Sequence, residues 1–210
     1  MSKVKRRTNS KRTIGSIIGV IVLIAIIILT FYHYFVNRVP TEKSQVQTMT
    51  EAEKLIAYDL EANYPQTPKE TVKLFARIMK SLYNNSKDEE VEPLALKIRE
   101  LYDEEFISNN PLESYLNNLK TDIAQWKDEN RRITNYLLVN EDLEQEKELE
   151  GVKYSINYVS YTIQDNGKFT ETWKVLLRFG KDKKWRILGW EYVPENELSQ
   201  LEESGGNGID

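Results

Sequence analysis

From Ile14 to Phe35 the sequence IGSIIGVIVLIAIIILTFYHYF runs for 22 residues without a formal charge. No other feature restricts the chain as much. A helix of that length rises roughly 30 Å, the thickness of a bilayer's hydrocarbon core. In lipid a helix also satisfies every backbone amide internally. A cleaved signal peptide would carry a shorter apolar stretch ending in small residues. This run ends instead in Thr30-Phe31-Tyr32-His33-Tyr34-Phe35, and bulky aromatics of that kind form an interfacial belt. The pattern predicts an uncleaved transmembrane helix over 14–36, with Ile14, Gly15, Gly19, Phe31 and Phe35 marking the anchor.

Orientation follows from the bases. Lys3, Lys5, Arg6, Arg7, Lys11 and Arg12 precede the run with no acid among them, and only Arg38 and Lys43 follow it closely. The positive-inside rule then makes residues 1–13 a cytoplasmic basic tail and puts everything past Val36 outside, in a single-pass protein of the cell membrane. The tail is expected to be a topology signal that can touch anionic headgroups; no nucleic-acid partner is expected. Gly15-x-x-x-Gly19 would let two such helices approach closely, so a homodimer through these glycines stays open beside the commoner use of glycine in membrane helices. The lone histidine, His33, lies among interfacial aromatics with no second ligand residue near it, and reads as a polar interfacial residue. There is no cysteine, which excludes disulfides, thiolate metal sites and lipidated cysteines.

Residues 37–49 are polar, contain Pro40 and lack a period, which predicts a linker. An extracytoplasmic domain is expected over 50–194. Thr50 and Glu53 form a capping box ahead of Leu55 and Ile56, and Thr67-Pro68-Lys69-Glu70 starts a second helix with Val72, Phe75, Ala76, Met79, Leu82 and Tyr83 on one face. A third helix carries Val91, Leu94 and Ile98, with Pro93 expected in its first turn. Asn110-Pro111 opens a fourth, with Leu119, Ile123 and Trp126 inward. Asn84-Asn85-Ser86 matches a glycosylation sequon, read here as a chance match in a loop.

Beyond Arg131 the period falls to two. Strands are expected at Ile133–Val139, Val152–Gln164, Phe169–Phe179 and Trp185–Val193, with a solvated acidic loop at Glu141–Glu150 and a positive-φ turn at Asn166-Gly167. The last strand has large residues on both faces. The acidic segment 195–210 is expected to be a flexible tail. The order predicts an α+β domain, three or four helices packed on a curved antiparallel sheet of about four strands.

Several of these residues carry a resemblance. Tyr64-Pro-x-Thr-Pro-x-Glu70, Asn110-Pro-x-x-x-Tyr-Leu116 and the final Trp-Arg-Ile-Leu-Gly-Trp-Glu resemble small membrane-anchored proteins of Gram-positive clostridia over residues 50–193. The same layout resembles the NTF2-like cone and the inner-membrane scaffold of type IV secretion. That resemblance implies assembly work and an envelope protein partner, and it brings no catalytic residue to transfer.

Chemistry is sparse. Past the anchor there is no histidine, and no glycine-rich phosphate loop or metal-ligand cluster appears, so no cofactor or metal is expected. Glu171 shares an expected face with Trp173, and Glu191 shares one with Trp185 and Ile187. These four, Glu171, Trp173, Trp185 and Glu191, form the candidate pocket. If both carboxylates entered it, they would suit acid–base work or a cationic ligand. The competing reading pairs each with Arg178, Arg186 or a backbone amide. Two functions follow: a non-enzymatic binding or scaffold domain, or a pocket that uses Glu171 and Glu191 to bind, and less readily to transform, a small molecule or peptide.

Overall fold

The chain divides into two units, Met1–Thr48 and Met49–Asp210. The structure, a computed structural model, describes residues 49–84, 87–139 and 145–205. The basic tail, the anchor with Gly15 and Gly19, His33, most of the linker and the Asn85-Ser86 half of the sequon lie outside the described residues. Among the described residues no helix is long and apolar enough to cross a membrane.

Among the described residues five helices come first: α1 (Glu51–Ile56), α2 (Pro68–Asn84), α3 (Asp88–Arg99), α4 (Glu104–Asn109) and α5 (Leu112–Asp128). Local caps start the first two. Thr50 Oγ1 accepts from Glu53 N while Glu53 Oε2 accepts from Thr50 N, and Thr67 and Glu70 exchange the same pair of bonds. The buried stripe of α2 includes Ile78 as well as Val72, Phe75, Ala76 and Leu82. It is wider than expected because α2 lies between the sheet and helices α1 and α3. Pro93 stands at the sixth position of α3, beyond its first turn. There it removes a helical hydrogen bond to Glu89, whose exposed position leaves its carbonyl to water. The helix α4 has no apolar period; Asp103 starts it by accepting from Glu105 N at 3.0 Å.

Five antiparallel strands follow: β1 (Arg132–Leu138), β2 (Gln145–Leu149), β3 (Val152–Gln164), β4 (Lys168–Phe179) and β5 (Trp185–Val193). Their order is β1-β3-β4-β5, with β2 beside the first half of β3 on the same edge as β1. The fifth strand is β2, in the segment expected as an acidic loop. All five of its residues are exposed, and a two-residue turn at Glu150 and Gly151, both at positive φ, joins it to β3. The turn at Asn166-Gly167 needs no positive φ. It is a three-residue loop in which Asp165 Oδ1 accepts from Gly167 N at 2.8 Å.

Two bulges bend the sheet. Thr134 is the extra residue in β1, and Leu188 is the extra residue in β5, opposite the step from Leu176 to Leu177. Because of Leu188, Trp190 joins Trp185 and Ile187 on the core face, where it packs on Phe75, Tyr102 and Phe106 at 5.1–5.5 Å. Much of the expected two-faced apolar pattern is thus one face with a skipped residue, and Val193 alone of the buried residues of β5 turns to the back of the sheet. The segment after Pro194, expected as a flexible tail, is helical from Glu195 to Gly205 (α6). Leu198 packs against Tyr158 and Val193 on the back of the sheet, so part of that face is covered by the chain itself.

Candidate functional site

A cavity of about 300 Å³ opens between α2, α5 and the strands β1, β3 and β4. Two local devices set its walls. The helix α5 ends in a Schellman motif: Asn130 takes φ 53°, its N–H donates to Lys127 O, and Arg131 N–H donates to Trp126 O at 3.0 Å. That closure turns the chain into β1 and lays the Arg131 guanidinium 5.5 Å from the Trp126 ring centre. At the end of α2 the Asn84 side chain behaves as a strand partner: its Nδ2 donates to Ile133 O at 2.8 Å and its Oδ1 accepts from Ile133 N at 2.9 Å. This amide is the acceptor site of the sequon, and both of its ends are engaged within the fold.

The wall from the helices is aromatic. Tyr83 of α2 meets Trp126 of α5 edge to face, with ring centres 5.1 Å apart. Met79 lies one turn before Tyr83 on the same wall. Burial pushes the Tyr83 hydroxyl up to about 12, with the nearby Asp122 charge adding to the effect. The sheet supplies Ile133, Ile163, Tyr161 and Trp173. Tyr161 is 3% exposed, its hydroxyl has no hydrogen-bond partner among the described residues, and burial raises its pKa strongly. Among the described residues, Trp126 Nε1 is the second buried side-chain polar atom without a partner.

Glu171 enters this cavity. It sits on β4 directly across from Tyr161 and two residues before Trp173, on the inward face. It is half-buried, and among the described residues its carboxylate has no hydrogen bond or ion pair. The two buried acids among the described residues are compensated. Asp103, 4% exposed, is held by Arg178, and Glu90 by Lys87 at 2.7 Å. Of the remaining charges around the cavity, Glu129 pairs with Arg131 at 2.9 Å and Asp122 is exposed. The cavity is therefore net negative, and Glu171 is its inner uncompensated charge.

The structure brings together two of the four candidate residues. Trp185 lies elsewhere in the core, its ring 5.1 Å from Phe179 and its carbonyl accepting from Tyr64 Oη at 2.9 Å. Glu191 points to the opposite face of the sheet, exposed, with Lys174 Nζ at 2.6 Å. The expected pairing of two carboxylates in one pocket is overturned by Leu188: one extra residue reverses the alternation, so Glu191 no longer shares a side with Trp185 and Ile187. Tyr83 and Trp126 read in the sequence as core stripe. Their signal as a site is their position, each at the last inward place of its helix, where the stripe runs out from under the core.

Among the described residues no group of three or more acids or histidines is placed to hold a metal ion. No two titratable side chains of the cavity are hydrogen-bonded as nucleophile and base. The family described as a domain of unknown function (DUF6715) matches residues 1–190. The chain belongs to the DUF6715 family. That DUF6715 match takes in the uncharged run at Ile14–Phe35 and every cavity residue, and stops before Glu191 and α6. No curated protein matches the chain.

Proposed function

We propose that this chain is a membrane-anchored, extracytoplasmic domain that binds a small ligand in the cavity of Glu171 and Trp173 and does not transform it. The observation that carries this reading is the inward, unpaired Glu171 beside Trp173 in a cavity of about 300 Å³, the lower end of the range for ligand sites. Binding without chemistry is supported by the character of the lining. The Tyr83 hydroxyl stays protonated near neutrality, and among the described residues no group is hydrogen-bonded to Glu171 as base or nucleophile. Anchoring is supported by the 22 uncharged residues of Ile14–Phe35, and the outside location by the bases before them. We read the helices ahead of a bulged antiparallel sheet, with a cavity opening between the two, as an NTF2-like cone. Service in an envelope assembly is compatible with this reading. A scaffold working through its surface alone is less favoured, because the most exposed apolar side chains among the described residues, Leu137, Leu149 and Tyr192, are scattered over both edges of the sheet.

The test uses the full chain in phosphatidylglycerol nanodiscs. Neutral, anionic and cationic fragments are screened by ligand-observed NMR against the wild type and Trp173→Leu. At least one fragment class should bind the wild type and lose binding in the variant. The absence of any Trp173-dependent binder, or turnover of a bound fragment, would overturn the reading. A C-terminal fusion to a reporter active only in the cytoplasm should be silent, and a signal from it would reverse the topology.

A further inference from the structure

We propose that the ligand of this cavity is a quaternary ammonium group, an inference that rests on the binding reading above and names its ligand class. The charge decides the sign. Glu171 lies inside without a counter-ion, and Asp122 and Glu129 stand around it against a single base, Arg131, which Glu129 already neutralises. An anion would enter against that field. A bare metal ion needs several oxygen ligands, and the inner wall offers one carboxylate.

The walls decide the kind of cation. A primary ammonium brings three N–H donors that must all find acceptors once out of water. Apart from Glu171, the inner wall is formed by the Met79 thioether, the rings of Tyr83, Trp126, Tyr161 and Trp173 and the aliphatic carbons of Ile133 and Ile163, and the Tyr161 hydroxyl is itself buried, with no surface turned to the void. A quaternary ammonium has no donor to satisfy and is weakly hydrated. It gains from the π-faces of tryptophan and tyrosine, the arrangement that recognises such cations generally. Arg131 shows the same attraction within the fold, with its guanidinium held over one side of the Trp126 ring. Trp173 and Tyr83 then supply the aromatic surface and Glu171 the countercharge.

Choline is the probe, and 3,3-dimethylbutan-1-ol, its neutral isostere, is the control. Both are titrated by calorimetry and tryptophan fluorescence into the full chain in phosphatidylglycerol nanodiscs. Choline should bind about tenfold or more tightly than the alcohol, as expected of a desolvated cation–π site. Glu171→Gln should weaken choline severalfold toward the alcohol's affinity with an unchanged melting temperature, whereas Glu191→Gln should leave choline binding as it was. A second arm adds phosphatidylcholine vesicles. Binding of choline and vesicles assigns the group to a lipid headgroup, and binding of choline alone assigns it to a free solute; both support the proposal. Equal affinity for choline and alcohol, or choline binding left undiminished by Glu171→Gln, overturns it. Loss of choline binding with Trp173-dependent neutral fragments retained would sink this inference and leave the binding reading standing; no Trp173-dependent ligand of any kind would sink both.

Discussion

Replacing a buried tyrosine by phenylalanine should have opposite effects at two positions of this core. Tyr161 is 3% exposed and its hydroxyl meets no partner, so folding strips that group of water without return. Such a loss amounts to about 1–3 kcal/mol, and Tyr161→Phe removes it while keeping the ring. Tyr64 is 7% exposed and its hydroxyl donates to the Trp185 carbonyl at 2.9 Å across 121 residues of chain. Tyr64→Phe deletes that bond and costs about 1 kcal/mol. The two variants should therefore lie about 2–4 kcal/mol apart, on either side of the wild type. For a domain of this size each kcal/mol moves the midpoint by about 2–4 °C, so a gap of at least about 4 °C is expected. Thermal melts of both variants and the wild type, in the same detergent and followed by near-ultraviolet circular dichroism, measure it. A Tyr161→Phe variant that melts below the wild type would refute the reasoning, because it would mean that an ordered water or another group satisfies the hydroxyl.

Other outcomes can be checked alongside. Arg178→Met leaves Asp103 buried without its guanidinium and should cost about 2–3 kcal/mol in urea unfolding, below the loss for a fully buried pair because Arg178 keeps some solvent. Glu191→Gln removes an exposed pair with Lys174 and should change stability by no more than about 0.5 kcal/mol on the same assay. Tyr64 and Tyr83 are both pushed up to about 12 by burial, above the usual 10. A raised pKa favours the folded state while the group is protonated, so their contribution should be complete below about pH 10 and fall between 10 and 12. Unfolding midpoints against pH, with tyrosinate absorbance, should show that window; tyrosinate forming well below pH 10 at these sites would contradict it.

The parts of the fold that were legible in the sequence are those set by neighbours along the chain. Thr50, Thr67 and Glu70 announce α1 and α2 because a cap is a contact over three residues. The alternation of Trp173, Val175 and Leu177 announces β4 because the pleat itself has period two. Elements that depend on distant partners were not legible. Gln145–Leu149 has no apolar alternation and becomes a strand only because the Glu150-Gly151 turn folds it onto β3. Leu188 looks like any strand residue until it is paired with Leu176 and Leu177, yet it moves Glu191 out of the site and Trp190 into the core. Glu171 and Trp173 do line one cavity, since both lie before the skipped position. Tyr83 and Trp126 were missed as site residues because helical spacing cannot distinguish a ring that fills the core from one that borders a void.

One consequence of β2 concerns crowding. Its outer backbone edge has no strand beside it among the described residues, and all five of its side chains reach solvent. For the anchored domain proposed above, tethering confines copies to two dimensions with a common orientation, where exposed edges collide often. If two copies zipped together antiparallel about Lys147, the symmetry would set Lys147 against Lys147 and Glu146 against Glu148, like against like in every charged pair. The edge therefore discriminates: it repels its own twin in that register while leaving its amides open to an incoming strand of different charge order.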